Sequence, residues 1–195
     1  MKLKNNLYSL KFTNKKTIDY SIDDFFNLDL FDPINKKNYF SQYNFSLLKK
    51  KKYRVHLFGM GGSSLSAKLL LQFLAPEKIN TEFFIYDNPS IIKLNSNLSS
   101  TKVSKNDLFI FISKSGNTVE TKFFLHWIIK YLKKNEIKNI YKYFLFITEN
   151  SNNYLNNFAQ KNNIRIFEHD PEIGGRFSIF SITALLPILA LGYSL

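Results

Sequence analysis

The sequence predicts an α/β fold, a doubly wound and mainly five-stranded parallel sheet flanked by helices, and three observations predict it. Five apolar runs rich in aromatic and β-branched residues alternate with helix-like stretches, the arrangement that builds parallel sheets. The runs are nearly continuous in hydrophobicity, which predicts strands buried on both faces. Six of the seven glycines sit in three short loops, Gly59 with Gly61 and Gly62, then Gly116, then Gly174 with Gly175. Average usage of about 7 % would give about 14 glycines. A chain that avoids glycine elsewhere places it where backbone takes positive φ or approaches a ligand closely.

Taken in order, the first 48 residues are the least regular. Residues 21–31 read as a short helix capped by Ser21, with Asp23 and Asp24 in its first turn, where carboxylates suit the helix dipole. The chain is therefore expected to divide into an N-terminal extension, 1–48, packing on a main domain, 49–195. Within that domain, strands are predicted at 53–58, 81–86, 107–113, 143–148 and 163–167. Helices or helix-bearing connections are predicted at 63–75, 89–98, 118–134 and 151–161, with 96–104 a polar connector. After Arg176 the chain runs over 177–195 without a charge, long enough to be a membrane candidate. Ser178, Ser181, Thr183 and Pro187 interrupt that stretch and no basic flank follows, so a helix buried in a larger soluble fold is expected. The sequence stops inside this apolar pattern, and more polypeptide is expected to follow.

At 195 residues and 45 % hydrophobic, the chain can bury one substantial core. It has no cysteine, so disulfides and thiolate chemistry are excluded and a reducing, cytoplasmic setting fits. Residues 1–10 mix lysine and asparagine with isolated apolar residues, unlike a signal peptide. The formal charge of +12 includes a run from Lys49 to Lys52, yet 24 of the 27 basic residues are lysines scattered among Asn, Ile and Phe. A solvated basic face is expected, with no specific nucleic-acid partner, although such a surface attracts an anionic substrate.

In open α/β sheets, ligands sit beyond the carboxyl ends of strands, near helix N-termini. The first loop, Gly59-Met60-Gly61-Gly62-Ser63-Ser64, offers amides and hydroxyls to an anion or to sugar hydroxyls, or else forms a tight turn with serine caps. It lacks the Gly-Lys-Ser/Thr ending of a nucleotide loop and the last glycine of a dinucleotide fingerprint. The second loop, Ser113-Lys114-Ser115-Gly116-Asn117-Thr118, places three hydroxyls around a helix start, enough donors to surround a phosphate. Capping by Asn117 or Thr118, with Glu120 or Thr121 assisting, accompanies that role. Lys114 contributes either charge or its amide alone. The third loop carries Gly174-Gly175-Arg176, the place for a fixed planar cation. His56, in a strand, His126, in a helix, and His169, just before the third loop, read as structural. Glu120 suits capping better than carbon deprotonation.

Ser-Lys-Ser-Gly-Asn-Thr-Val-Glu-Thr, from Ser113 to Thr121, resembles the phosphate loop of sugar isomerase (SIS) domains, a family of five-stranded parallel α/β domains that bind phosphosugars. Gly174-Gly175-Arg176-Phe177-Ser178 resembles the Gly-Gly-Arg-Phe/Tyr-Ser signature of the glucose-6-phosphate isomerase family. Gly59 to Leu65 resembles that family's Gly-x-Gly-Gly-Ser-x-Leu loop, and the likeness covers residues of about 50 to 195. The resemblance implies that Gly62 and Ser63 contact sugar, that Ser113, Ser115 and Thr118 with the Lys114 amide hold phosphate, and that Arg176, supported by Gly175, faces the reacting carbons. It implies interconversion of glucose 6-phosphate and fructose 6-phosphate through an enediolate, without metal or nucleotide cofactor, in a homodimer when complete. The family's catalytic glutamate, ring-opening histidine and C-terminal lysine are expected beyond Leu195, leaving these 195 residues to bind weakly and turn over little. Ser66 stands where the family commonly has glycine, a change expected to alter the first helical turn while leaving Ser63 intact. A stand-alone phosphosugar-sensing module is the alternative.

Overall fold

The computed structural model describes residues 8–11, 17–20, 39–48, 54–74, 82–99, 103–104 and 106–193. An antiparallel pair, β1 (Tyr8–Lys11) and β2 (Thr17–Tyr20), stands apart from the main sheet. The helix expected at 21–31 lies outside the described residues. The main sheet has five parallel strands in the order β4-β3-β5-β6-β7. They are β3 (Arg54–Gly59), β4 (Glu82–Tyr86), β5 (Asp107–Ile112), β6 (Phe144–Thr148) and β7 (Arg165–Glu168). Between and after them run α1 (Gly62–Leu74), α2 (Ile91–Ser99), α3 (Val119–Lys134), α4 (Tyr154–Asn162) and α5 (Ile182–Ala190). The order steps outward in both directions from β3 and β5, whose carboxyl ends lead into the first two glycine loops.

β3, β5 and β6 are buried throughout, as continuous apolar runs require. Burial on both faces does not extend to β4 and β7. These form the sheet's edges and leave Glu82 and Glu168 exposed, because an edge strand has a neighbour on only one side. The uniform hydrophobicity of the central strands hides a period of two. One face is aromatic, with Phe58, Tyr86, Phe109, Phe111, Phe144 and Phe146 packed against Phe124, Leu125 and Ile128 of α3. The other is aliphatic, with Val55, Leu57, Ile110, Ile112, Leu145 and Ile147 against Ile182 and Leu186. Adjacent rings on the aromatic face stack across strands, Phe58 lying 4.6 Å from Tyr86 and 4.7 Å from Phe111 between centroids.

At the amino end of that face lies a buried polar chain. Arg54 Nε donates to Asp107 Oδ1 at 2.8 Å and its Nη2 to Oδ2 at 2.9 Å. His56 is stacked between Phe84 and Phe109, with Nε2 3.4 Å from Asp107 and Nδ1 3.2 Å from the Tyr86 hydroxyl. Burial holds the His56 pKa below its ordinary value against the pull of Asp107. Burial opposes ionisation of Asp107 too, but its bonds to His56 and the Ser104 amide, with the Arg54 charge, keep its pKa below the usual range. This chain of side chains lies at the opposite end of the strands from the glycine loops, in a structural position.

The uncharged stretch after Arg176 forms the short 3-10 turn Gly175–Phe180 and then α5, nine residues packed beneath the aliphatic face. Among the described residues no helix is long and apolar enough to cross a membrane.

Candidate active site

β3 ends at Gly59, and the chain turns at once into α1. Ser63 N donates to Met60 O at 3.2 Å, while Ser64 N and Leu65 N both reach Gly61 O. Ser64 is buried and its hydroxyl also bonds Gly61 O, at 3.1 Å. Ser63 remains half-buried beside it. Gly62 is required by packing: a Cβ there would run into the backbone carbonyl of Gly175, an atom that cannot rotate aside. The first and third loops thus meet backbone to backbone.

Ser66 reinforces that contact. The expected disturbance of the first helical turn is absent, since α1 begins at Gly62 and the Ser66 hydroxyl donates back to Gly62 O at 2.8 Å, a familiar side-chain bond to the carbonyl four residues earlier. Its oxygen also lies 2.7 Å from the hydroxyl of Ser178, which is fully buried and within 2.8 Å of Gly175 O. This hydroxyl pair pins helix α1 to the third loop. Nothing in the sequence pairs Ser66 with Ser178, because the contact spans 112 residues.

At the end of β5, Ser113 N bonds Ile147 O at 3.0 Å and Gly116 N bonds Ser113 O at 3.0 Å, closing the second loop. Gly116 has φ of +64°, and a Cβ there would collide with the side chain of Asn153. The hydroxyls of Ser113 and Thr118 are 2.7 Å apart. The expected capping is therefore corrected. Thr118 occupies the N-cap position of α3 but makes no side-chain cap, because its hydroxyl faces Ser113. Asn117 Oδ1 accepts instead from Tyr154 N at 3.1 Å, at the start of α4. Thr121 Oγ1 is buried without a hydrogen-bond partner, so it does not assist either. The amides of Lys114, Ser115 and Thr118 have no protein acceptor among the described residues. Together with the α3 N-terminus they offer unpaired donors suited to an anion.

The third loop follows β7. His169 N continues the ladder to Thr148 O at 2.9 Å, and His169 Nδ1 donates to Asp170 O at 2.7 Å. Burial lowers the His169 pKa, the Asp170 carbonyl opposes this, and the Lys114 charge lowers it further. Ile173 N returns to Asp170 O and Phe177 N to Gly174 O, shaping the turn that presents Arg176. That side chain is exposed and has no protein partner among the described residues.

Lys114 does not project freely over the second loop. Its ammonium donates to Pro171 O at 2.7 Å and Ile173 O at 3.2 Å, and lies 3.4 Å from the Glu149 carboxylate. Gly62, Ser63, Ser113, Lys114, Ser115, Thr118, Gly175 and Arg176 therefore all belong to one end of the sheet, on loops that touch. A cavity of about 570 Å³ lies beside them at the ends of β6 and β7, lined by Asn150, Asn152, Asn156 and Glu168 among others. It contains no residue of the three loops.

The phosphoglucose isomerase family model matches residues 47–195, a span that includes all three loops. The chain belongs to the phosphoglucose isomerase family. Among curated relatives, the glucose-6-phosphate isomerase of Campylobacter jejuni is 35% identical over 150 residues, 75% of this chain and 36% of that protein. That of Methanocaldococcus jannaschii is 33% identical over 141 residues, 71% of this chain and 33% of the relative. This phosphoglucose isomerase family chain thus spans about a third of the length of the curated relatives it matches. Among solved structures, a hypothetical protein from Thermus thermophilus aligns with a TM-score of 0.65 and 29% identity over 73% of this chain and 34% of its own. A glucose-6-phosphate isomerase from Chlamydia trachomatis shares the fold, with a TM-score of 0.62 and 21% identity over 74% of this chain and 27% of its own.

Proposed function

We propose that this chain supplies the phosphate site and the charge-stabilising arginine of a cytoplasmic glucose-6-phosphate isomerase, active as a homodimer when complete. The reaction moves a proton between C2 and C1 of the opened sugar and passes through an enediolate. In this reading the phosphate sits on the second loop, held by the hydroxyls of Ser113, Ser115 and Thr118 and the amide of Lys114. Gly62 and Ser63 contact the sugar. Arg176, set by Gly175, faces the reacting carbons. Residues 1–48 act as an extension to the domain that carries these loops.

The observation that carries the reading is the fate of Arg176. It is exposed and unpaired among the described residues, on a turn held against the first loop by the Gly62–Gly175 contact. A guanidinium fixed there stabilises the negative oxygen of the enediolate more than the neutral carbonyl of the substrate, which lowers the barrier. Phosphate bound on the second loop orients the sugar from a distance. In this reading the carboxylate that moves the proton comes from polypeptide outside these 195 residues, and the reaction uses neither metal nor nucleotide. Glu149, the carboxylate nearest the second-loop lysine, is engaged with the Lys114 ammonium.

A coupled assay on the full gene product tests the assignment. Arg176→Ala is expected to lower turnover by roughly 10²–10³, as loss of an oxyanion-hole donor does, with the folded state intact because the side chain is exposed. Normal turnover in the variant would sink the assigned role.

A further inference from the structure

We propose that Lys114 is a positioning residue, whose ammonium fixes the arginine-bearing loop against the anion-binding loop without touching the anion. Two roles were open to this lysine from the sequence, a charge on the bound group or an amide alone. The side chain does something else. Its three N–H protons have three partners at hand, Pro171 O at 2.7 Å, Ile173 O at 3.2 Å and a Glu149 carboxylate oxygen at 3.4 Å.

The backbone of the same residue is anchored as well. Lys114 O accepts from Glu149 N at 3.1 Å and from Thr148 Oγ1 at 3.2 Å, which ties it to the end of β6. Lys114 therefore bridges the ends of two central strands and the residues just before Gly174. The other flank of the third loop is held separately, by the Gly62–Gly175 approach and the Ser66–Ser178 hydroxyl pair. Arg176 lies between these two fixings. Misplacement of a reacting group by about 1 Å costs about 10²-fold in rate, so a strut on each flank of a glycine-rich turn has direct value for catalysis. The identity of the anion rests on the sugar-phosphate reading, whereas the strut itself does not.

The test uses the 195-residue chain labelled with ¹⁵N, with Lys114→Met, Lys114→Gln and Lys114→Arg. Without ligand, the first two variants are expected to speed amide exchange at Ile173, which donates to Asp170 O, and at Phe177, which donates to Gly174 O. The increase is about ten- to a hundredfold, the range set by loss of a hydrogen bond to a charged group. Amides of β3 and β5 keep their protection, and Lys114→Arg restores most of it at the loop. The His169 pKa moves up in the neutral variants, because a nearby positive charge is gone.

Inorganic phosphate is then titrated. In the unaltered chain it shifts the amides of Ser115 and Thr118 and, through the strut, those of Gly175 and Arg176. In the neutral variants the first pair responds and the second does not. Unchanged exchange at Ile173 and Phe177 overturns the proposal, and so does loss of every phosphate response with loop protection intact, which would make Lys114 a ligand. Absence of any phosphate response in the unaltered chain defeats the sugar-phosphate reading, while the exchange arm still decides the strut.

Discussion

Arg54, Arg165 and Arg176 carry the same charge and meet three different fates. Arg54 is buried and clamped on Asp107 by two hydrogen bonds. Arg165 reaches the Asn44 carbonyl at 3.3 Å. Arg176 is exposed beyond a glycine pair, available to something other than the protein. The reason it can stand there is equally local, since Gly62 lets the third loop approach to backbone contact. Gly62→Ala inserts a methyl group against the carbonyl of Gly175, and relief requires one of the two loops to move. Urea unfolding is expected to show a loss of about 1–3 kcal/mol, the usual cost of overpacking. An unchanged midpoint would mean that the two loops part more easily than their packing implies.

Elements are positioned here by side chains that belong to their neighbours. α4 is capped by Asn153, whose Oδ1 accepts from Asn156 N, and its start also donates to Asn117 of the second loop. The amide nitrogen of Asn153 reaches Thr148 Oγ1, Glu149 O and Ser151 Oγ at 3.0–3.2 Å. One buried side chain thus joins the end of β6, the loop after it and the helix that follows, and it abuts Gly116. Asn153→Ala removes the cap and leaves buried partners unpaired, for an expected loss of about 1–3 kcal/mol by thermal or chemical denaturation. A loss below about 0.5 kcal/mol would show that the cap is replaceable by solvent.

Across the whole molecule, two buried histidines tie stability to pH. The folded pKa values of His56 and His169 both lie below the ordinary 6.5, chiefly because burial disfavours the charged ring. Below about pH 6.5 the unfolded chain therefore takes up protons that the folded chain refuses, and stability falls as pH falls. Asp107, held below the usual carboxylate range, adds a further loss at lower pH as it is protonated. The urea midpoint is expected to drop between about pH 7.5 and about pH 5.5, with a shallower slope in His56→Gln. A midpoint that rises on acidification contradicts the assignment of neutral buried rings.

The order of amino acids is enough to specify the five strands to within a residue or two of their ends, the parallel sheet and the three glycine loops that meet at one end of it. Those features rest on local signals: runs of Phe, Ile and Leu that only a buried strand accommodates, and glycines kept for turns. The aromatic and aliphatic faces are also written there as a period of two, masked because residues on both faces of the central strands are mostly apolar, Arg54, His56 and Asp107 at the amino end of the aromatic face being exceptions. The remaining features exist only once the chain is folded. Thr118 turns its hydroxyl to Ser113 and leaves its own helix uncapped. Asn117 serves a helix that begins 37 residues later. Ser66 pairs with Ser178 across 112 residues, and Lys114 reaches carbonyls 57 and 59 residues away. The physical reason is one of range. Strand and turn propensities are settled by neighbours in sequence, whereas a hydroxyl or an ammonium bonds whichever acceptor the folded chain brings within about 3 Å.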